Sequence, residues 1–177
     1  MAPTTQESKY VIPHHAITKE DRNQIKLRVV FDGSARSSMG SLNQYLHSGP
    51  KLQNDIRDIL LNWRIHPIAI VADIVKMYRG IFVAKTDRPY TQIFWRHDSS
   101  HALCKYELKT VTYGLTCSPW LALRVLKQLV LDHGGEYPEA AKAIANDIFV
   151  DDIVTGCNNL KSALELQSQL IGLMREG

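Results

Sequence analysis

Apolar positions along this chain fall into short extended runs separated by a few helical stripes. From Val11 to Phe31 the pattern is that of two strands broken by the polar cluster Asp21 to Gln24, with Leu27 to Phe31 dense in strand formers, which predicts a β-hairpin. The Ser- and Gly-rich segment Asp32 to Gly40 predicts a loop, and Gly49-Pro50 stops the piece that follows it. Leu52, Ile56, Ile59, Leu60 and Trp63 then form one amphipathic stripe, ended by His66-Pro67. The continuous apolar run Ile68 to Ala72 predicts a strand buried on both faces that delivers the carboxylate of Asp73 at its end. Tyr90 to Arg96 and Ala102 to Leu108 flank a polar turn, His97 to His101, and predict a second hairpin.

Ser118 as N-cap and Pro119 at the first helical position open a helix that runs to about His133, before Gly134-Gly135. Pro138 to Ala143 predicts another short helix. Ala145 to Phe149 and Ile153 to Thr155 form the arms of a hairpin with Asp151 and Asp152 at its tip. Asn158-Asn159 caps a last helix whose apolar positions are Leu160, Ala163, Leu164, Ile171 and Met174. Residues 1 to 9 carry no pattern and are expected to be a flexible leader.

A composition of 45% hydrophobic and 22% charged residues over 177 positions excludes a disordered tail, a collagen-like repeat and a small disulfide knot. No apolar run reaches the ~18 residues of a membrane span, and MAPTTQESKY lacks the features of a secretory signal. The expected setting is intracellular, in the cytoplasm or nucleus. Cys104, Cys117 and Cys157 are odd in number and contain no CxxC pair, so they are expected as reduced thiols in the core. The net charge of +3 is weak, but residues 61–130 carry 10 basic and 4 acidic side chains, whereas residues 131–177 carry 3 and 8. Scattered surface charge accounts for that asymmetry as readily as a nucleic-acid partner does.

Three acids sit where strands are expected to end, Asp73 and the pair Asp151-Asp152. If they converge, their mutual repulsion favours a divalent cation, and Mg²⁺ suits carboxylates and phosphates. Acids in a hairpin turn that are simply solvated remain the alternative. His97 and His101 lie in an expected turn and lack a third ligand, and Gly33-Ser34-Ala35-Arg36 lacks phosphate-loop spacing. His14 and His15 read as surface or packing residues, while Trp63, Trp95 and Trp120 read as core.

Several blocks in order resemble a known family. They are His15 to Lys19 with Lys26 to Asp32, Ala72 to Tyr78, Asp87 to Thr91, Val111 to Gly114 with Ser118-Pro119, and Phe149 to Asp152. Together they resemble the fingers and palm of reverse transcriptases, most closely those of Pao/BEL-type LTR retrotransposons, from Tyr10 to Met174. The resemblance implies an α+β fold with an antiparallel sheet backed by helices. Fingers would cover residues 10–50 and 81–117, and palm residues 51–80 and 118–177. It implies RNA-directed DNA polymerase activity: transfer of a nucleotide from a dNTP to a primer 3′-OH on an RNA or DNA template, with two Mg²⁺ ions or Mn²⁺ in their place.

By the same resemblance, Asp73, Asp151 and Asp152 form the catalytic cluster, with the Ile74 carbonyl as a further metal ligand. Lys19 and Arg28 hold the triphosphate, Tyr78 lies against the sugar, and Tyr113 and Gly114 line the nucleotide site. Asp32, Ser118, Pro119 and Phe149 shape the surrounding loops. Tyr113 stands where retroviral enzymes carry Gln, and Phe149 where Tyr is commoner. The family's thumb, later palm strands, RNase H and integrase are not recognisable here, so the chain reads as part of a larger polyprotein that is inactive or weakly active alone. Competing readings are an inert remnant or nucleic-acid-binding module, and an unrelated two-metal nuclease.

Overall fold

The computed structural model describes residues 1–21 and 24–177. Strand formers and turn residues divide the first part of the chain into β1 (Ala2–Pro3), β2 (His14–Asp21), β3 (Gln24–Phe31), α1 (Leu42–Tyr45), α2 (Ile56–Arg64), β4 (Ile68–Asp73) and α3 (Met77–Gly80). The remainder forms β5 (Gln92–Trp95), β6 (Cys104–Glu107), α4 (Ser118–His133), α5 (Pro138–Asn146), β7 (Ile148–Phe149), β8 (Asp152–Cys157) and α6 (Leu160–Arg175). These strands pair antiparallel in the orders β1-β6-β5, β2-β3 and β4-β8-β7, so the fold is α+β as expected. The chain divides into two compact units, Met1–Gly49 with Tyr78–Pro119, and Pro50–Met77 with Trp120–Gly177.

In the first unit, Ile12, Leu42, Ile93, Leu108 and Leu115 form the core, with Tyr10, Phe31, Trp95 and Tyr106 packed against it. Strands β2 and β3 pair from His14 opposite Phe31 to Asp21 opposite Gln24, so the ends of the loop expected at Asp21 to Gln24 belong to the strands, and its residues 22–23 lie outside the described residues. The expected flexible leader is instead tied to this unit. Ala2 and Pro3 pair with Glu107 and Tyr106, the Lys9 and Tyr10 amides donate to the Pro89 carbonyl, and the Ser8 hydroxyl donates to the fully buried Gln92. Backbone pairing at a sheet edge needs no apolar periodicity, so nothing in the composition of residues 1–9 announces it.

Asn43, in α1, joins two loops of this unit. Its side-chain amide donates to Ser34 Oγ (2.9 Å) and the Gly114 carbonyl (3.0 Å), and its Oδ1 accepts the Thr116 N–H (2.9 Å). Gly114 has φ +88°, and a Cβ there would lie 2.1 Å from the Phe31 carbonyl oxygen. Only glycine satisfies both constraints. Ser118 is the first residue of α4 rather than its cap: its buried hydroxyl turns back and donates to the Thr112 carbonyl, which would otherwise lack that donor.

In the second unit, α2, α5 and α6 pack on the β4-β8-β7 sheet. The run Ile68 to Ala72 is not buried on both faces. Ile68, Ile70 and Ala72 are half-buried, whereas Val71 between them is 62% exposed, because the helices leave one face of this antiparallel sheet open. Helix α2 starts at Ile56, after five residues without regular structure, because Asp55 accepts the Arg57 N–H at 2.9 Å and caps it there. Hydrogen bonds from the Arg57 side chain and backbone hold the Asp55 carboxyl down at about 2.

Helix α6 begins as expected, with Asn159 capping the Ser162 N–H, but it buries a different face. Ala163, Leu166, Leu170 and Leu173 are inside, and Leu164 is 56% exposed. The helix carries apolar residues on more than one side, and its tertiary neighbours select the face. The cysteines are free thiols of mixed burial: Cys104 is exposed, whereas Cys117, packed against the core of the first unit, and Cys157 are half-buried, with burial pushing both thiols up. Trp63, Trp95 and Trp120 are also half-buried. Among the described residues, no helix is long and apolar enough to cross a membrane.

Leu173→Ala is expected to lower the free energy of unfolding by about 2–5 kcal/mol, whereas Leu164→Ala changes it by less than about 0.5 kcal/mol; urea denaturation of the two variants checks the buried face. Gly114→Ala combines a left-handed backbone with a steric overlap and is expected to cost at least about 2 kcal/mol, read as a lowered midpoint in the same experiment.

Candidate metal centre

Strand β4 ends at Asp73 and β8 begins at Asp152, and the register of the pair sets these two residues directly opposite each other. The ladder continues one step further, where the Ile74 N–H donates to the Asp151 carbonyl at 2.8 Å. Backbone pairing thus fixes three carboxylates from two distant segments at one end of the sheet, and one ligand oxygen from each lies within 4.8 Å of the others. Among the described residues this is the one such group of His, Cys, Asp or Glu.

Asp73 and Asp152 are exposed and Asp151 is half-buried, so the centre sits at a wet rim rather than at the ends of doubly buried strands. Two unit charges 4–5 Å apart repel by roughly 3–4 kcal/mol at an effective dielectric near 20, and by less where solvent screens them. Among the described residues no Lys, Arg or His forms an ion pair with any of the three. An all-oxygen, net-negative donor set fits a hard divalent cation such as Mg²⁺ or Mn²⁺ and does not suit zinc. The Ile74 carbonyl accepts the Met77 N–H at 3.2 Å, which leaves one lone pair for a further ligand bond.

The turn that carries Asp151 is strained. Val150 has φ +59°, a left-handed conformation that a β-branched residue rarely adopts and that costs of order 1–3 kcal/mol. Gln53 spans this turn from the segment before α2: its Nε2 donates to the Ile148 carbonyl at 2.9 Å, and its Oε1 accepts the Val150 N–H at 2.9 Å. The neighbouring Asn54 donates to the Ala145 and Asn146 carbonyls at the end of α5 (2.9 and 3.1 Å). Sequence reasoning did not find Gln53. Its signal in the sequence is a Gln-Asn pair just ahead of the cap Asp55, within the apolar stripe expected from Leu52.

Phe149 lies opposite Asp152 in the β7–β8 register and is half-buried. The other residues singled out above belong to the first unit. Lys19 pairs with Lys26 in the hairpin register, and Arg28 is exposed opposite Ile17. The Asp32 carboxylate accepts the Ser34 N–H at 3.0 Å, while its backbone N–H donates to the Pro13 carbonyl at 2.8 Å, so it closes the base of the hairpin. Tyr78 is half-buried in α3. The Tyr113 ring packs at 5.4 Å from Phe31, beside Gly114, and lines a hollow of about 450 Å³ with Leu27, Val29, Arg79 and Trp95. Pro119 follows Ser118 in the first turn of α4.

No protein-family model and no curated protein matches the sequence. Solved structures do match. The protease-reverse transcriptase of prototype foamy virus, as a selenomethionine-labelled CSH mutant, superposes with a TM-score of 0.72 at 16% identity, over 99% of this chain and 20% of that one. The native form gives 0.71 at 17% identity, and the foamy viral enzyme in complex with an RNA/DNA hybrid gives 0.71 at 16%, each with the same coverage. The chain spans 20% of the length of these proteins. At such identities the likeness establishes the fold, which is that of a reverse-transcriptase region.

Proposed function

We propose that this chain is the fingers and palm of an RNA-directed DNA polymerase of Pao/BEL retrotransposon type, catalysing nucleotidyl transfer from a dNTP to a primer 3′-OH. The observation that carries this reading is the convergence of Asp73, Asp151 and Asp152 on a reverse-transcriptase-like fold. The two compact units support assigning residues 10–50 and 81–117 to fingers and 51–80 and 118–177 to palm.

In this reading Asp73, Asp151 and Asp152 hold two Mg²⁺ ions, with Asp73 and Asp151 as the main ligands and the Ile74 carbonyl as an additional one. Bound there, such a pair would lower the cost of generating the attacking oxygen and neutralise charge on the leaving phosphate. The β4–β8 ladder holds the carboxylates in place, so little reorganisation is needed when substrate arrives. Lys19 and Arg28 provide a point charge and a planar fork for the triphosphate, Tyr78 faces the sugar and opposes a 2′-hydroxyl, and Tyr113 with Gly114 bounds the nucleotide. The partners are a primed RNA or DNA template, dNTP and the rest of a retroelement polyprotein. The basic surplus of residues 61–130 suits sequence-independent phosphate contacts. One of the foamy viral structures contains an RNA/DNA hybrid, which agrees with this substrate class.

Primer extension on an RNA template with Mg²⁺, run with this chain and with a version extended through thumb sequence, tests the reading. Asp151→Asn is expected to lower extension by at least about 100-fold, and retained activity rejects the metal assignment. Because that substitution removes like-charge repulsion, it should also leave the ion-free protein as stable as the wild type or more so, while Mg²⁺ raises the melting temperature of the wild type only. Tyr78→Ala should increase ribonucleotide incorporation; unchanged sugar selectivity removes its role at the sugar.

A further inference from the structure

We infer that Gln53 is a positioning residue for the metal centre: its side-chain amide holds the strained Val150 turn in the conformation that places Asp151 beside the ladder pair Asp73 and Asp152. The inference rests on the metal reading proposed above. Four observations converge on it.

First, among the described residues β7 is an edge strand that pairs with β8 alone, leaving its outward backbone groups without a strand partner. Gln53 supplies both a donor and an acceptor to that edge, at Ile148 and at Val150, as a paired strand would. Second, the bond to the Val150 N–H falls on the one residue of the turn with a positive φ. A backbone state of this kind persists only where its surroundings over-determine it. Third, Asp151 follows Val150 directly and, unlike Asp152, lies outside the β4–β8 strand register, so the state of that turn bears first on the Asp151 carboxylate. Fourth, the segment bearing Gln53 is itself anchored by the two residues that follow it, Asn54 on the end of α5 and Asp55 as the cap of α2. Gln53 touches none of the three carboxylates in these bonds and acts through the main chain.

The test uses the full 177-residue chain, with Mn²⁺ as probe. Gln53→Ala is expected to weaken Mn²⁺ binding about 10- to 100-fold by titration calorimetry, and to speed hydrogen exchange at the Val150 amide selectively while leaving α6 amides protected. Gln53→Glu keeps the acceptor, loses the donor and should fall between wild type and Gln53→Ala, and it serves if the alanine variant folds poorly. Adding Val150→Gly to Gln53→Ala should recover much of the lost affinity, since glycine adopts the left-handed state at no steric cost. A general loss of packing would not be rescued in this way. Unchanged Mn²⁺ affinity in both Gln53 variants, or Val150 exchange no faster than in the wild type, overturns the proposal. If the wild type itself binds no Mn²⁺, the functional reading falls, and the exchange measurement alone decides whether Gln53 holds the turn.

Discussion

The antiparallel register between β4 and β8 is the constraint on which the rest of the second unit depends. It sets Asp73 opposite Asp152, a like-charge pair that ordinarily destabilises a ladder. The sheet nevertheless keeps this register, because a slip of one residue would turn every inward side chain of β4 and β8 outward, losing the burial of Ile153 and Thr155. Apolar packing further along the strands therefore sustains electrostatic repulsion at their ends. The cost of the acidic cluster is met by the core beneath it, and a bound cation would reverse its sign.

The same division of labour explains why glycine and amide side chains recur where the backbone departs from regular structure. Gly114 accepts a conformation closed to other residues beneath Phe31, and Asn43 secures the loops around it. At the acidic turn the departure is made by valine instead, and Gln53 supplies the bonds that hold it. Where a carbonyl or amide at a loop would lack a partner, a side chain from a sequence-distant segment provides one.

This pattern determines what the sequence could disclose. Strand and helix locations follow local chemistry, so α4 could be bounded from Ser118 to His133, and the hairpin holding Asp151 and Asp152 could be recognised from its flanking apolar arms. The acids themselves stood out because carboxylates at strand ends are conspicuous in an apolar context. Burial was less legible: one-sided covering of β4 and the choice of the Leu166–Leu173 face of α6 are decided by neighbours that no local window contains. Least legible were the long-range side-chain bonds. Gln53 and Val150 are separated by 97 positions, Asn43 and Gly114 by 71, and nothing in either residue's own surroundings names its partner.

Neither unit is one uninterrupted stretch of polypeptide. During synthesis the segment Pro50–Met77, which contains β4, leaves the ribosome long before β8 and α6 exist to cover it. Its apolar residues must wait unprotected while the first unit is completed between them, which makes nascent intermediates prone to self-association. Cutting the chain at a unit boundary would yield pieces without their cores, so a shortened version suited to biochemical work must preserve all four segments, and low-temperature or chaperone-assisted production follows from the topology itself.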